Sequence, residues 1–308
     1  LRLLAADCRP AAPADLPAPT PHAGALLLAA EGLGHTYPDG TQALAGVDIA
    51  IREGEYVLIV GQNGAGKSTL VKHFLRLLEP TAGRVTVGGT ATTAMQMSDL
   101  AKRIGYVAQN PDNQIFNKSV SEEVAFALKN LGHPKEEVDA RTEECLRAMG
   151  LWEQRERHPL ALPRGDRARV VIAAILAMRP EIIIFDEPTT GQDYRGAAYI
   201  LDLSRELHRQ GKTVVVITHH LYLMPDYAER VIVMGKGTVL LDAPIRKAYH
   251  EVDLLQSTFL APPQAVLLAR ELADLTGDPF PLLTPREVAA SFAPVAARGL
   301  MPETGGVR

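Results

Sequence analysis

The tightest constraint on how this chain folds lies in nine residues, Gly61-Gln62-Asn63-Gly64-Ala65-Gly66-Lys67-Ser68-Thr69, set between two segments of different periodicity. Before them, Tyr56-Val57-Leu58-Ile59-Val60 is an unbroken apolar run suited to a strand buried on both faces. After them, Thr69-Leu70-Val71-Lys72-His73-Phe74-Leu75 has helical spacing. Strand, glycine loop and helix in that order are the context in which GxxxxGK[ST] reads as a phosphate-binding loop. The glycines let backbone N–H groups turn inward around phosphate oxygens. Lys67 is expected to neutralise the β and γ phosphates of a bound nucleotide, and the Ser68 hydroxyl to bind Mg²⁺. The ordinary alternative, a glycine-rich turn with a solvated lysine, is disfavoured by a second motif far downstream.

In that motif, Ile182-Ile183-Ile184-Phe185 runs directly into Asp186-Glu187. Two carboxylates then stand at the C-terminal end of a sheet strand, where open α/β folds bind ligands. Asp186 is expected to be the Mg²⁺ carboxylate, and Glu187 to face the attacking water as general base. Standing alone the pair would read as a solvated strand end; beside a phosphate loop it reads as chemistry.

The rest of the chain is organised around these two motifs. At 308 residues and 46% hydrophobic it is long enough for one large domain plus an appendage. The alternating pattern of Leu26 to Val60, with the turn Pro38-Asp39-Gly40, predicts a small antiparallel β layer. Ile182–Phe185 and Val214–Ile217, separated by a helical segment over 197–209, predict parallel βαβ units. Between the glycine loop and these strands, about 110–170 reads as an inserted helical subdomain, with Ser119-Val120-Ser121-Glu122 opening a helix as a capping box. Val231–Met234 and Thr238–Leu241 flank a glycine hairpin, after which the core is expected to end near Pro244. Residues 245–308 read as a C-terminal helical module, with helices over 264–275 and from Thr284-Pro285-Arg286-Glu287. Residues 1–24, rich in Ala and Pro, read as a linker or disordered arm without signal-peptide order. A first residue of Leu1 leaves open a non-standard start, a truncation or part of a longer tandem polypeptide.

Composition narrows the partners. A net charge of −4 argues, weakly, against binding nucleic acid through a broad basic surface. The two cysteines, Cys8 and Cys145, lack metal-ligand or framework spacing, and a reducing cytosol fits them. Apolar runs such as Val170–Met178 fall well short of the roughly 20 residues that span a bilayer.

The run Asp186-Glu187-Pro188-Thr189-Thr190-Gly191-Gln192-Asp193 resembles the second nucleotide motif and dimer-contact loop of ABC ATPases, Asp193 lying in that loop. The resemblance covers about Leu26 to Pro244. It implies an α/β P-loop NTPase of the ABC ATPase fold: a RecA-like core with an antiparallel β layer and an inserted helical subdomain. It further implies that Tyr37 stacks on adenine, although an aromatic there is by itself more often core. Gln109, ending the strand Ile104–Ala108, would touch Mg²⁺ and the water and link to a transmembrane partner; His219 would be the switch histidine contacting the γ-phosphate, with His220 beside it a surface residue.

One element departs from the family. Leu162-Pro163-Arg164-Gly165-Asp166 stands where the signature normally reads Leu-Ser-Gly-Gly-Gln, the element that caps ATP bound by the opposing subunit. Pro163 lacks the hydroxyl and N–H that would bond the γ-phosphate, a loss of about 1–3 kcal/mol if that bond is buried. Gly165, the following helix N-terminus and Arg164 still offer N–H groups and positive charge.

Within the family, Tyr106 to Phe116 with Val120–Leu128, and Gly165-Asp166-Arg167-Ala168-Arg169, resemble the ATPases of energy-coupling factor importers for vitamins or transition-metal ions. The tail from Pro262 resembles that group's module for pairing ATPases, though a plain helical extension would look similar. The resemblance implies an ATPase peripheral to the cytoplasmic face of the membrane. Its partners would be a second ATPase, identical or not, a transmembrane scaffold protein and a membrane substrate-binding protein. Two other readings stand beside it: a soluble ABC ATPase switching on ribosomes or DNA, and a non-hydrolysing module. The intact Lys67, Asp186 and Glu187 weigh against the last.

Overall fold

The structure is a computed structural model, and it describes residues 24–296. The expected arm 1–24, but for its last residue, and the chain beyond 296 lie outside the described residues.

The apolar run before the glycine loop becomes β3 (Tyr56–Val60), fully buried along its length. It lies between β8 (Thr213–Ile217) and β9 (Arg230–Gly235), both parallel to it. A strand with neighbours on both edges and cores on both faces has no polar position to fill, which is why no alternation shows in its sequence. Tyr56, Leu58 and Val60 enter one hydrophobic core, while Val57 and Ile59 enter another. β7 (Ile182–Asp186) divides the same way, with Ile183 and Phe185 on one side and Ile182 and Ile184 on the other. The sheet order is β10-β9-β3-β8-β7-β6, with β6 at Ile104–Val107 and β10 (Thr238–Pro244) as the antiparallel edge. β9 and β10 join through Lys236 and Gly237, both at positive φ.

A second sheet, β2-β1-β4-β5, supplies the antiparallel layer: β1 (Leu26–Thr36), β2 (Gln42–Arg52), β4 (Ala82–Val87) and β5 (Thr90–Ala91). Leu70, Val71 and Phe74 of α1 (Lys67–Phe74) share a core with residues of both sheets. α2 (Met97–Arg103) leads into β6. Arg230 ties the layers together. Its guanidinium bonds the Ala50 carbonyl of β2 at 2.9 Å, Glu55 at 2.9 Å and Asp242 of β10. Glu55 is buried and also accepts the Arg52 N–H.

The helices α3 (Val120–Asn130), α4 (Lys135–Ala148) and α5 (Arg164–Ala177) pack against one another, α5 running on past the expected limit near residue 170. Gly105 of β6 is a close-approach position: a Cβ there would meet Ile175 of α5 at 2.3 Å. The Ser119 hydroxyl caps α3 by accepting the Glu122 N–H at 3.2 Å. The reciprocal half of the expected capping box is replaced, because Glu123, not Glu122, turns back and accepts the N–H groups of Phe116 and Asn117.

After α6 (Tyr194–Arg209), packing continues smoothly through the expected boundary at Pro244. Tyr249 of α7 (Ile245–His250) and Val252 and Leu255 of α8 (Val252–Ser257) belong to the large core. A small separate core forms only where Ala269 and Leu272 of α9 (Gln264–Thr276) meet Phe280 and Leu282. α10 (Pro285–Ala296) is capped by Thr284, and its Glu287 accepts the Leu283 N–H rather than that of Thr284, while pairing with Arg246.

Candidate active site

The glycine loop turns where β3 ends and α1 begins, wedged between β2 and the β9–β10 hairpin. Two of its glycines are dictated by close backbone approach. A Cβ on Gly61 would lie 2.4 Å from the Met234 carbonyl oxygen, and one on Gly66 would lie 2.7 Å from that of Ala43. Gly66 also sits at φ 98°, left-handed, in the cap position of α1. Gly237 N–H reaches the Ala65 carbonyl at 3.2 Å, pinning the loop to the hairpin.

A cavity of about 360 Å³ opens here. Asn63, Gly64, Ala65, Gly66, Lys67, Ser68 and Thr69 line it together with Tyr37, Gln109, Asp186, Glu187 and His219. Residues as distant in sequence as Tyr37 and His219 are thus gathered at one end of the parallel strands, on the side where their C-termini lie. Gly61 and Gln62 do not line it; their carbonyls accept the Lys67 ammonium at 2.7 and 3.0 Å. Burial pulls the Lys67 ammonium below its ordinary range, against the charges of Glu187 and Asp186, which raise it.

Asp186 ends β7, buried, and its carboxyl is pushed upward by that burial and by Glu187; the hydroxyl of Tyr106, Lys67 and Ser68 act in the opposite direction. The Tyr106 hydroxyl donates to Asp186 Oδ2 at 3.0 Å, and its own proton affinity is raised by burial and by that carboxylate. Glu187, 7% exposed, sits at φ 49°, a left-handed geometry unusual for a side-chain-bearing residue. Its N–H is anchored to the Ile217 carbonyl at 2.8 Å. Oε1 accepts His219 Nδ1–H at 2.9 Å, and Oε2 is buried without a hydrogen-bond partner. A carboxylate only accepts, so Nδ1 is the donor and Nε2 is the nitrogen left over on His219.

His220 is not the surface residue expected. It is half-buried, its Nδ1 lies 3.1 Å from the Thr189 hydroxyl, and burial lowers its proton affinity; His219 is the more exposed of the two. Gln109 is exposed on the cavity rim, two residues beyond the end of β6, which stops at Val107 rather than Ala108. Tyr37 is half-buried, with its hydroxyl 3.1 Å from that of Thr69.

The signature-like residues lie outside this cavity. Leu162 is buried, and Pro163 takes the cap position of α5. Asp166 pairs with Arg169. Arg164 and Gly165 line a second cavity of about 410 Å³ with Gly191, Gln192 and Asp193, the Arg164 guanidinium resting against Gly191. Asp193 caps α6, accepting the Gly196 N–H at 2.7 Å.

Sequence reading missed several participants. Thr41, Gln42 and Ala43 line the main cavity, and only tertiary packing brings them there. Tyr106 reaches Asp186 across adjacent strands. Gln114 braces the segment before Gln109, donating to the Tyr106 carbonyl at 3.0 Å and accepting the Ala108 N–H at 2.8 Å.

The donor set near Ser68 suits Mg²⁺. A hydroxyl, a carboxylate and an amide oxygen from Ser68, Asp186 and Gln109 are hard oxygen ligands, too few for a closed protein cage. No group of three or more His, Cys, Asp or Glu gathers as a metal cluster among the described residues.

The family described as "ABC transporter" matches residues 44–190. A putative ABC transporter ATP-binding protein of Methanosarcina mazei is 45% identical over 76% of this chain and 40% of its own length. The chain spans less than half the length of the first curated relatives it matches. An energy-coupling factor transporter ATP-binding protein, EcfA, of Methanocaldococcus jannaschii is 42% identical over 75% of this chain and 84% of its own. Among solved structures, cbiO1 from Clostridium perfringens, part of the cbiONQ ABC transporter complex, superposes with TM-score 0.69 at 33% identity, covering 80% of this chain and 99% of that one. A dimeric ATP-binding cassette in a post-hydrolysis state, bound to ADP and Pi, gives TM-score 0.64 at 32% identity, covering 71% and 99%.

Proposed function

The chain belongs to the ABC transporter ATP-binding family, and from that premise we propose that it binds and hydrolyses ATP to energise a transmembrane importer of the energy-coupling factor type. The observation that carries this reading is the meeting of Lys67, Ser68, Asp186, Glu187 and His219 in one cavity.

The triphosphate lies along the loop, where main-chain N–H groups and the Lys67 ammonium meet its negative charge. Tyr37 offers an aromatic wall for the base. Ser68, Asp186 and Gln109 would hold Mg²⁺, which would supply positive charge to offset that of the phosphates. Glu187 is the general base. Its free Oε2 takes a proton from the water that attacks the γ-phosphorus, while Oε1 stays tied to His219. The water oxygen becomes the fourth oxygen of the released phosphate, and the bridging oxygen leaves with ADP. His219 fixes the carboxylate's orientation through Nδ1 and stands at the wall of the cavity beside the γ-phosphate.

The second cavity, with Arg164 and Gly165, faces the ATP of a second ATPase subunit as a weakened signature. The helices from residue 245 onward assist pairing of the two subunits. A separate scaffold protein and a membrane substrate-binding protein complete the assembly, with this chain at the cytoplasmic face; no helix among the described residues is long and apolar enough to cross a membrane. The similarity to EcfA and cbiO1 supports this assembly over a switch on ribosomes or DNA.

The test is co-purification of the tagged chain from native membranes. Integral membrane proteins should come with it in fixed ratio; recovery with ribosomes or DNA alone would overturn the transport reading.

A further inference from the structure

Two histidines from different elements meet inside the fold, His35 of β1, 7% exposed, and His73 of α1, fully buried. Their hydrogen bonds assign their protons. His73 Nδ1 lies 2.7 Å from the Thr69 carbonyl oxygen, which can only accept, so Nδ1 carries hydrogen. His35 Nδ1 lies 3.1 Å from the Glu79 carbonyl oxygen, so it too is a donor, and it lies 3.2 Å from His73 Nε2. His73 Nε2 must then be bare to accept. His35 Nε2 is buried without a hydrogen-bond partner. Both rings carry a hydrogen on Nδ1.

This pair reaches the cavity by two routes. Tyr37, two residues beyond His35, sets its ring edge-on to the imidazole at 4.7 Å and its hydroxyl 3.1 Å from the Thr69 hydroxyl. The rings of His35 and His73 also meet edge-on at 4.7 Å. Thr69 is therefore held through its carbonyl by His73 and through its hydroxyl by Tyr37, and it directly follows Lys67 and Ser68.

We propose that His35 and His73 are positioning residues for nucleotide binding: their hydrogen-bonded pair sets Tyr37 and the first turn of α1 in one register. The inference rests on the reading of this cavity as an ATP site and deepens it. Neither imidazole lines the cavity; each acts through Tyr37 or Thr69.

The same geometry gives a pH dependence. His73 faces the carbonyls of Thr69 and Glu79, and the titratable side chain acting on it is His35; His35 in turn faces Tyr37, His73 and the Glu79 carbonyl. Burial holds His73 below the ordinary imidazole range, with His35 adding to the effect against the two carbonyls. A proton forced onto His73 Nε2 would oppose the His35 N–H and break the link. The pair is thus intact at neutral pH. Its stabilising contribution begins to fall as pH drops below the unfolded value of about 6.5, and the link itself breaks as pH passes the lower folded value.

The experiment measures Mg-ATP dissociation constants and steady-state ATPase of the full chain between about pH 5.5 and 8. His35→Phe keeps a ring against Tyr37 but removes both nitrogens. It should raise the dissociation constant and KM about tenfold at neutral pH, with saturated turnover within about twofold. His35→Asn, which places an amide N–H near the Nδ1 position, should recover most of the affinity. In acid, the difference between wild type and His35→Phe should shrink as the wild-type link fails, a comparison in which the nucleotide's own titration cancels. His73→Asn, which keeps a donor to Thr69 without Nε2, should weaken ATP about threefold and flatten the same acid limb. Variants that melt earlier yet bind ATP as wild type at every pH would overturn the proposal by making the pair merely structural, as would equal defects in His35→Phe and His35→Asn. A wild-type chain that binds no ATP would instead sink the reading of the cavity.

Discussion

Replacing Glu187 with Gln alters one proton-accepting group and almost nothing else. The residue is 7% exposed and its backbone is locked by the 2.8 Å bond from its N–H to the Ile217 carbonyl, so the left-handed φ of 49° is unchanged by an isosteric side chain. The Gln oxygen can occupy the Oε1 position and keep accepting His219 Nδ1–H, as Glu187 does at 2.9 Å. The amide nitrogen then takes the place of Oε2, the buried oxygen without a partner. What disappears is the basicity of that atom, and general-base catalysis of this kind contributes about 10²–10⁴ in rate. At about 1.36 kcal/mol per decade this is about 3–5 kcal/mol of barrier. Binding should survive, because Lys67 and the loop are untouched and one negative charge near the triphosphate is gone. Phosphate release at saturating Mg-ATP should therefore fall at least about 100-fold, while ATP, not ADP, stays with the protein through gel filtration. Turnover within about threefold of wild type would remove Glu187 as the base.

Three further outcomes are expected. The double substitution Pro163→Ser with Arg164→Gly rebuilds the usual signature and should raise ATP turnover of the assembled complex; unchanged turnover would count against a weakened signature. Tyr106→Phe removes the 3.0 Å hydrogen bond that orients Asp186 and should raise the Mg²⁺ concentration for half-maximal ATPase by about tenfold, read from a Mg²⁺ titration. Arg230→Met leaves the buried Glu55 carboxylate without its guanidinium and should cost about 3 kcal/mol, a drop in melting temperature on the order of 10 °C by calorimetry.

The parts of the fold legible in the sequence are those written in local periodicity. Tyr56–Val60 and Ile182–Phe185 read as buried strands because each residue meets a core, and the glycine loop reads as a phosphate cradle because Gly61 and Gly66 leave no room for a Cβ. The illegible parts depend on contacts across sequence. Nothing near Tyr106 signals that its hydroxyl meets Asp186 80 residues later, and His35 gives no hint of His73 until β1 and α1 pack together. Helix starts are legible to the residue at Ser119 and Thr284, yet the glutamate partners choose other N–H groups, since Glu287 also answers Arg246 and Glu123 reaches the turn before α3. The adjacent histidines differ from expectation in exposure because His220 turns toward Thr189, a side-chain rotation that spacing does not encode.

If the triphosphate of ATP sits on the loop under Lys67, removing that ammonium must weaken the nucleotide more than any other single change to the loop's side chains. Calorimetric titration of Mg-ATP into wild type and Lys67→Ala reads this out. One ATP should bind per wild-type chain, and affinity should fall at least about 100-fold in the variant, about 2.7 kcal/mol. Equal affinities for the two proteins would refute the site, because the nucleotide would then be held somewhere other than this loop.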